Sequence, residues 1–181
     1  MRYYREIQTR TGETWVLRNP EADDTAAVLA HMRLTSEETD NMVRYPDEIT
    51  LSEESERTVL QRIADSPDEI MIAAFLNGTL AANGGFGPVL PCEKAHHRAS
   101  FGISVQQAYW GRGLGSAILA GILESARQAG YRQVELDVVS GNDRAIALYR
   151  KFGFETYGTL EHGYLLRDGT WQTLQFMVCH L

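Results

Sequence analysis

Cysteine is scarce in this chain: Cys92 and Cys179 are its two thiols. They imply no disulfide framework, and free thiols in a reducing cytoplasm are the simpler reading. No apolar run approaches the roughly 20 residues that cross a bilayer, so no membrane span is expected. The opening Met1-Arg2-Tyr3-Tyr4-Arg5-Glu6 mixes charges and lacks an apolar core, which argues against a secretory leader. Basic charge is also in short supply. Lys and Arg number 17 against 24 Asp and Glu, for a net charge of −7. Nucleic-acid phosphates need a basic surface, so that partner is disfavoured, and a cationic or neutral substrate fits better. No metal site is expected.

What is present suits one globular core. Hydrophobic residues make up 44% of 181, enough to read residues 1–181 as one domain. Acid is unevenly placed: residues 36–56 hold Glu37, Glu38, Asp40, Asp47, Glu48, Glu53, Glu54 and Glu56 against Arg44. This stretch reads either as a solvated helix face with N-terminal acids or as an electrostatic funnel for an amine.

The pattern along the chain is mixed α and β. Tyr3–Thr9 and Glu13–Arg18 form a hairpin around Gly12. Asn19-Pro20 reads as N-cap and first residue of a helix with Val28, Leu29 and Met32 on its apolar stripe. Thr50 with Glu53 predicts a capping box for a helix over 51–65 that buries Val59, Leu60 and Ile63. Ile70–Leu76 and Thr79–Phe86 are strands joined by the turn pair Asn77-Gly78. Ala99–Val105 is a strand. A helix over 113–129 carries Leu114, Ile118, Leu119, Ile122, Leu123 and Ala126 at helical spacing, and Gly130 ends it. Val134–Val139 is a buried strand, Asn142–Phe152 a short helix, and Phe154–Glu161 with Thr173–Cys179 a final strand pair.

Residues 109–116 read Tyr-Trp-Gly-Arg-Gly-Leu-Gly-Ser, between a strand and an amphipathic helix. Glycines let backbone N–H groups approach a ligand. The unpaired N–H groups and dipole at a helix start add positive potential, which suits a pyrophosphate, and Arg112 can add a charge. A structural turn explains such a loop equally well. A P-loop requires Gly-Lys-Ser/Thr, and this loop has Leu114-Gly115-Ser116. A dinucleotide fold requires its first glycine immediately after the strand, and Gln106–Trp110 intervene. Coenzyme A remains.

Residues 142–154 read Asn-Asp-Arg-Ala-Ile-Ala-Leu-Tyr-Arg-Lys-Phe-Gly-Phe. Asn142 is an N-cap candidate, and Ala145, Leu148, Tyr149 and Phe152 share a helical face. The two blocks, in this order with a strand between them, resemble the GCN5-related N-acetyltransferase (GNAT) superfamily over roughly residues 70–160. The resemblance implies an α/β (α+β) fold: a mixed, mostly antiparallel sheet of about seven strands, splayed at the cofactor site, with about four helices. It implies acetyl-CoA as co-substrate. Gly111, Arg112, Gly113, Leu114, Gly115 and Ser116 would hold the pyrophosphate, Ile103, Ser104 and Val105 the pantetheine arm, and Asn142 the coenzyme. Tyr149 would protonate the departing thiolate. Where the family often has Gln or Arg, this chain has Trp110.

The implied reaction is direct acetyl transfer to an amine, on a small molecule, a polyamine or a protein N-terminus. The position matching the family's frequent carboxylate is Ser100, so the base is open. Glu135 and Asp137 share one strand face by alternation, so both or neither point to the site. Glu37, Glu38 and Glu48 are further candidates, as is water alone, and His96 and His97 lie in a loop. The acceptor pocket would take Tyr164 and Trp171 as walls or leave them to packing. A non-catalytic acyl-CoA-binding domain is the alternative; it would keep the glycine loop without needing Tyr149. A cytoplasmic location and a homodimer are compatible with this reading.

Overall fold

The computed structural model describes residues 1–9 and 12–181. Its elements run β1 (Tyr4–Gln8), β2 (Thr14–Arg18), α1 (Thr25–Glu37), α2 (Glu53–Asp65), β3 (Ile70–Leu76), β4 (Thr79–Pro88), β5 (Arg98–Val105), α3 (Leu114–Gln128), β6 (Gln133–Val139), α4 (Asp143–Lys151), β7 (Glu155–Leu165) and β8 (Trp171–His180). Among the described residues eight strands form one sheet, in the order β1-β2-β3-β4-β5-β6-β8-β7. Every neighbouring pair is antiparallel except β5 with β6. The sheet is therefore mixed and mostly antiparallel, as expected, with eight strands where about seven were anticipated. The exposed edge strand β1 pairs fully with β2 although it buries little. No helix among the described residues is long and apolar enough to cross a membrane.

Alternation along the strands divides the core. Ile70, Ile72 and Ala74 of β3 join the cluster that includes Ile118, Leu119 and Ile122 of α3 and Ile146 and Tyr149 of α4. Ala73 and Phe75 face the other way, onto Val28 of α1 and Leu60 of α2. Asn77 (φ 49°) and Gly78 (φ 82°) both adopt left-handed backbone, which gives the tight β3–β4 turn its hand. Gly130 (φ 87°) ends α3 as predicted.

Two helix starts differ from the sequence reading. Asn19 does not cap α1. Its buried side chain accepts from the Tyr3 N–H at 2.7 Å and donates to the Met71 carbonyl at 2.9 Å, tying the β1 end to β3. A 3-10 turn over Ala22–Asp24 intervenes, started by reciprocal bonds between Glu21 and Asp24. Ser52, not Thr50, caps α2, accepting from the Ser55 N–H at 3.1 Å. At α2 a neighbouring serine took over the cap, whereas α1 continues from the 3-10 turn with no side-chain cap, and composition alone does not choose between such starts.

β5 and β6 pair over three positions only: Arg98 with Gln133, Ala99 with Val134, and Ser100 with Glu135. β5 then stays with β4 as far as Val105, and β6 stays with β8 as far as Val139. The two strands thus part, and this is the splay the fold was expected to have.

α1 is fastened beside that opening by a buried polar chain. Gln106 Nε2 donates to His31 Nδ1 at 3.1 Å, His31 Nε2 meets Ser104 Oγ at 2.8 Å, and Ser104 Oγ donates to Asn83 Oδ1 at 2.9 Å. The polarity is consistent with a neutral ring carrying its proton on Nε2. Burial drives the His31 pKa from 6.5 down to about 4, against the opposing effect of Asn83. As pH falls below 6.5, the unfolded chain takes up this proton first. Stability present above pH 6.5 should therefore decline by about 3 kcal/mol as pH approaches 4. Urea unfolding at neutral and acid pH checks this: His31→Gln should flatten the slope, and an unchanged slope would locate the acid sensitivity elsewhere.

Candidate active site

The parting of β5 and β6 opens a cleft of about 1240 Å³. Ile103, Ser104, Val105, Gly111, Arg112, Gly113, Leu114, Gly115, Ser116, Asn142 and Tyr149 all line it.

The glycine loop lies where β5 hands over to α3. Gly111 (φ 76°) and Gly113 (φ 89°) are left-handed, and a Cβ at either would meet nothing within 4 Å. They leave an open cradle bounded by backbone. The first helical bond of α3 is donated by the Ala117 N–H to the Gly113 carbonyl at 3.0 Å. The N–H groups of Leu114, Gly115 and Ser116 therefore have no partner within the helix. Gly115 serves a different purpose: a Cβ there would sit 3.2 Å from Leu148, so its absence lets α4 pack closely on α3.

Side chains stitch the loop from outside. Trp110 Nε1 donates to the Val105 carbonyl at 2.7 Å, closing the turn between β5 and the glycines. Arg144 stacks over the Trp110 ring at 4.3 Å and also lines the cleft, a cation that the sequence reading did not single out. Arg112 is engaged by Glu13, donating to both carboxylate oxygens at 2.9 Å. The helix start adds positive potential of its own to the cradle.

The opposite wall comes from α4 and β6. Asn142 caps α4 by accepting from the Ala145 N–H at 3.3 Å. Tyr149 lies on the buried side of α4, with its ring against Phe154 and edge-on to Phe101. Burial, reinforced by the Asp137 charge, pushes its pKa up to about 12. Glu135 and Asp137 do share a face of β6, yet their positions differ in consequence. Arg98 takes Glu135 in a two-pronged pair at 2.5 and 2.7 Å, which holds its carboxyl below the usual range. Asp137 lines the cleft and accepts from the Tyr164 hydroxyl at 3.2 Å. The both-or-neither expectation therefore fails, because a cross-strand arginine removes one of the two. Of the N-terminal acids, Glu38 lines the cleft and Glu48 turns back onto the Tyr45 N–H. Ser100 pairs in register with Glu135 outside the cleft.

A family model described as the acetyltransferase (GNAT) family matches residues 32–154, more than half of the chain and both motif blocks. An L-amino acid N-acetyltransferase, AaaT of Escherichia coli, is 28% identical over 134 residues, covering 74% of this chain and 82% of that protein. The N-alpha-acetyltransferase RimI of Mycobacterium tuberculosis is 38% identical over 96 residues, covering 51% of this chain and 56% of that protein. A solved GNAT acetyltransferase from Streptococcus pneumoniae superposes with a TM-score of 0.88 at 30% identity, covering 92% of this chain and 99% of that one. The chain belongs to the acetyltransferase (GNAT) family. It is an acetyl-CoA-dependent N-acetyltransferase.

The cradle yields a direct prediction. Gly113→Val puts a branched side chain on left-handed backbone and into the open space. Coenzyme A affinity should fall at least about 100-fold by titration calorimetry, with the circular dichroism spectrum retained. Unchanged affinity would reduce the loop to a turn.

Proposed function

We propose that this chain moves the acetyl group of acetyl-CoA directly to an amine held in the same cleft, with Tyr149 and Asp137 handling the protons. The observation that carries this reading is the convergence of the α3 start, the free edge of β5 and Tyr149 on one cleft. The cradle at Gly111 and Gly113 fits a pyrophosphate, since its open space is bounded by glycine backbone and unpaired N–H groups. Acetyl-CoA, when bound, supplies an acyl carbon activated as a thioester.

The chain's own residues then divide the work. The N–H groups of residues 113–116 hold phosphate oxygens. Ile103, Ser104 and Val105 offer the β5 edge that β6 leaves unpaired, which receives an extended arm as a sheet receives a strand. Asn142 keeps its side-chain oxygen on the α4 cap and has its amide N–H₂ for the coenzyme. The Asp137 carboxylate accepts a proton from the acceptor ammonium. Tyr149, held protonated by burial, gives its proton to the leaving sulfur and is restored by the second proton that the acylated nitrogen sheds. Binding both reactants in one cleft makes the attack effectively intramolecular. A non-catalytic acyl-CoA-binding domain would have no use for this pair of groups.

Acceptors include small amines, polyamines and N-termini as chemical classes, and the carboxylates of Asp137 and Glu38 along the cleft favour a cationic one. Cys92 and Cys179 are both free, which suits a cytoplasmic setting. A homodimer would find an available surface on the edge strand β7, where Tyr157, Leu160 and Leu165 are exposed. Sedimentation equilibrium tests it.

Thiol release with acetyl-CoA and a panel of amines tests the main reading. Tyr149→Phe should lower kcat by about 10²–10⁴ with coenzyme A affinity retained, and an unchanged kcat removes the tyrosine from the chemistry. The pH profile adds a second check. Tyr149 keeps its proton up to about pH 12. Rates should therefore climb with pH as the acceptor loses its own proton, with no alkaline fall set by the tyrosine. A fall with an apparent pKa near the ordinary tyrosine value of about 10 would contradict this assignment.

A further inference from the structure

The connection between α1 and α2 does more than join two helices. At one end it is tied to the turn before the glycine loop: the Gln107 N–H donates to Glu38 Oε2 at 2.8 Å, and Gln107 Nε2 donates to the Glu38 carbonyl at 2.6 Å. At the other end it meets the β7–β8 turn. The Arg167 N–H donates to the Tyr45 hydroxyl at 2.9 Å, its guanidinium lies 4.0 Å over the Tyr45 ring, and Nη2 donates to both Asp47 oxygens at 2.9 and 2.8 Å. Between these ties, Thr39, Asn41, Met42 and Val43 line the cleft, as do Asp137 and Tyr164.

We infer that residues 38–47 form a strap latched to Arg167, which closes the acceptor end and restricts acceptors to short amines, excluding amines that continue into a folded or extended polypeptide. The inference rests on the acetyltransferase reading above. A peptide N-terminus needs an open groove for the residues that follow it. Here the two walls that would flank that groove are joined to each other. A short amine needs only room beside Asp137. The latch ion pair is largely exposed, at 58% and 66% of the side chains, so it is weak enough to open for exchange. Three contacts made by one residue nevertheless make Arg167 the point at which the strap can be released.

The test uses an amino-acid amide and a peptide beginning with the same residue, with wild type, Arg167→Ala and Asp47→Ala. Wild type should acetylate the amide and discriminate against the peptide. Releasing the latch should raise kcat/KM for the peptide at least about tenfold relative to the amide, leaving the amide value within about twofold. Equal use of amide and peptide by wild type, or an unchanged ratio in both variants, overturns the strap. Coenzyme A binding measured in parallel separates the two levels. A chain that binds no coenzyme A overturns the donor reading, whereas one that binds it and ignores the latch overturns only the strap.

Discussion

Three residue pairs hold β5 to β6, and beyond Ser100 and Glu135 the strands separate. Backbone N–H and C=O groups left unpaired inside a protein carry a cost, so a sheet normally closes such a gap. This one stays open because each strand is held on its far side, β5 by β4 and β6 by β8. Trp110 takes the Val105 carbonyl, and the rest of the edge faces a cleft, where solvent or an extended ligand satisfies it. Because β5 runs into α3 through residues 106–113, the same gap also receives a helix N-terminus. A backbone edge and a helix start, both rich in donors, thus address one space.

Environment then assigns the side chains. Tyr149 is packed among Phe101 and Phe154, and burial keeps its proton in place. Asp137, exposed on β6, sits across from it with Tyr164 as hydrogen-bond donor. One cleft thus holds a buried, protonated tyrosine and an exposed carboxylate, the pair to which the proposed reaction gives the two proton transfers. On the outer side, the chain through Gln106, His31, Ser104 and Asn83 anchors α1 to the same stretch of β5, so the helix is fixed to the strand that borders the cleft.

Features coded by short stretches were legible in the sequence. The Asn77-Gly78 turn, the apolar stripe of α3, the glycine loop and the Asn142 cap each depend on neighbours a few residues away, and each lies where its spacing indicated. Competition between equivalent local signals was not legible: Ser52 displaced Thr50, and Asn19 found better partners in Tyr3 and Met71. Long-range pairing was hidden altogether. Alternation put Glu135 and Asp137 on one face, but only the register of β5 against β6 brings Arg98 to Glu135 and leaves Asp137 to the cleft. The latch joins residues 120 positions apart, and no local pattern announces it.

In the proposed complex, backbone along the free edge of β5 and at the α3 start holds the donor. Amide hydrogen exchange with and without coenzyme A reads those groups directly. Exchange should slow at residues 103–105 and 111–116 on addition of the coenzyme. Binding that leaves these amides unprotected, with protection gathered elsewhere, would contradict it.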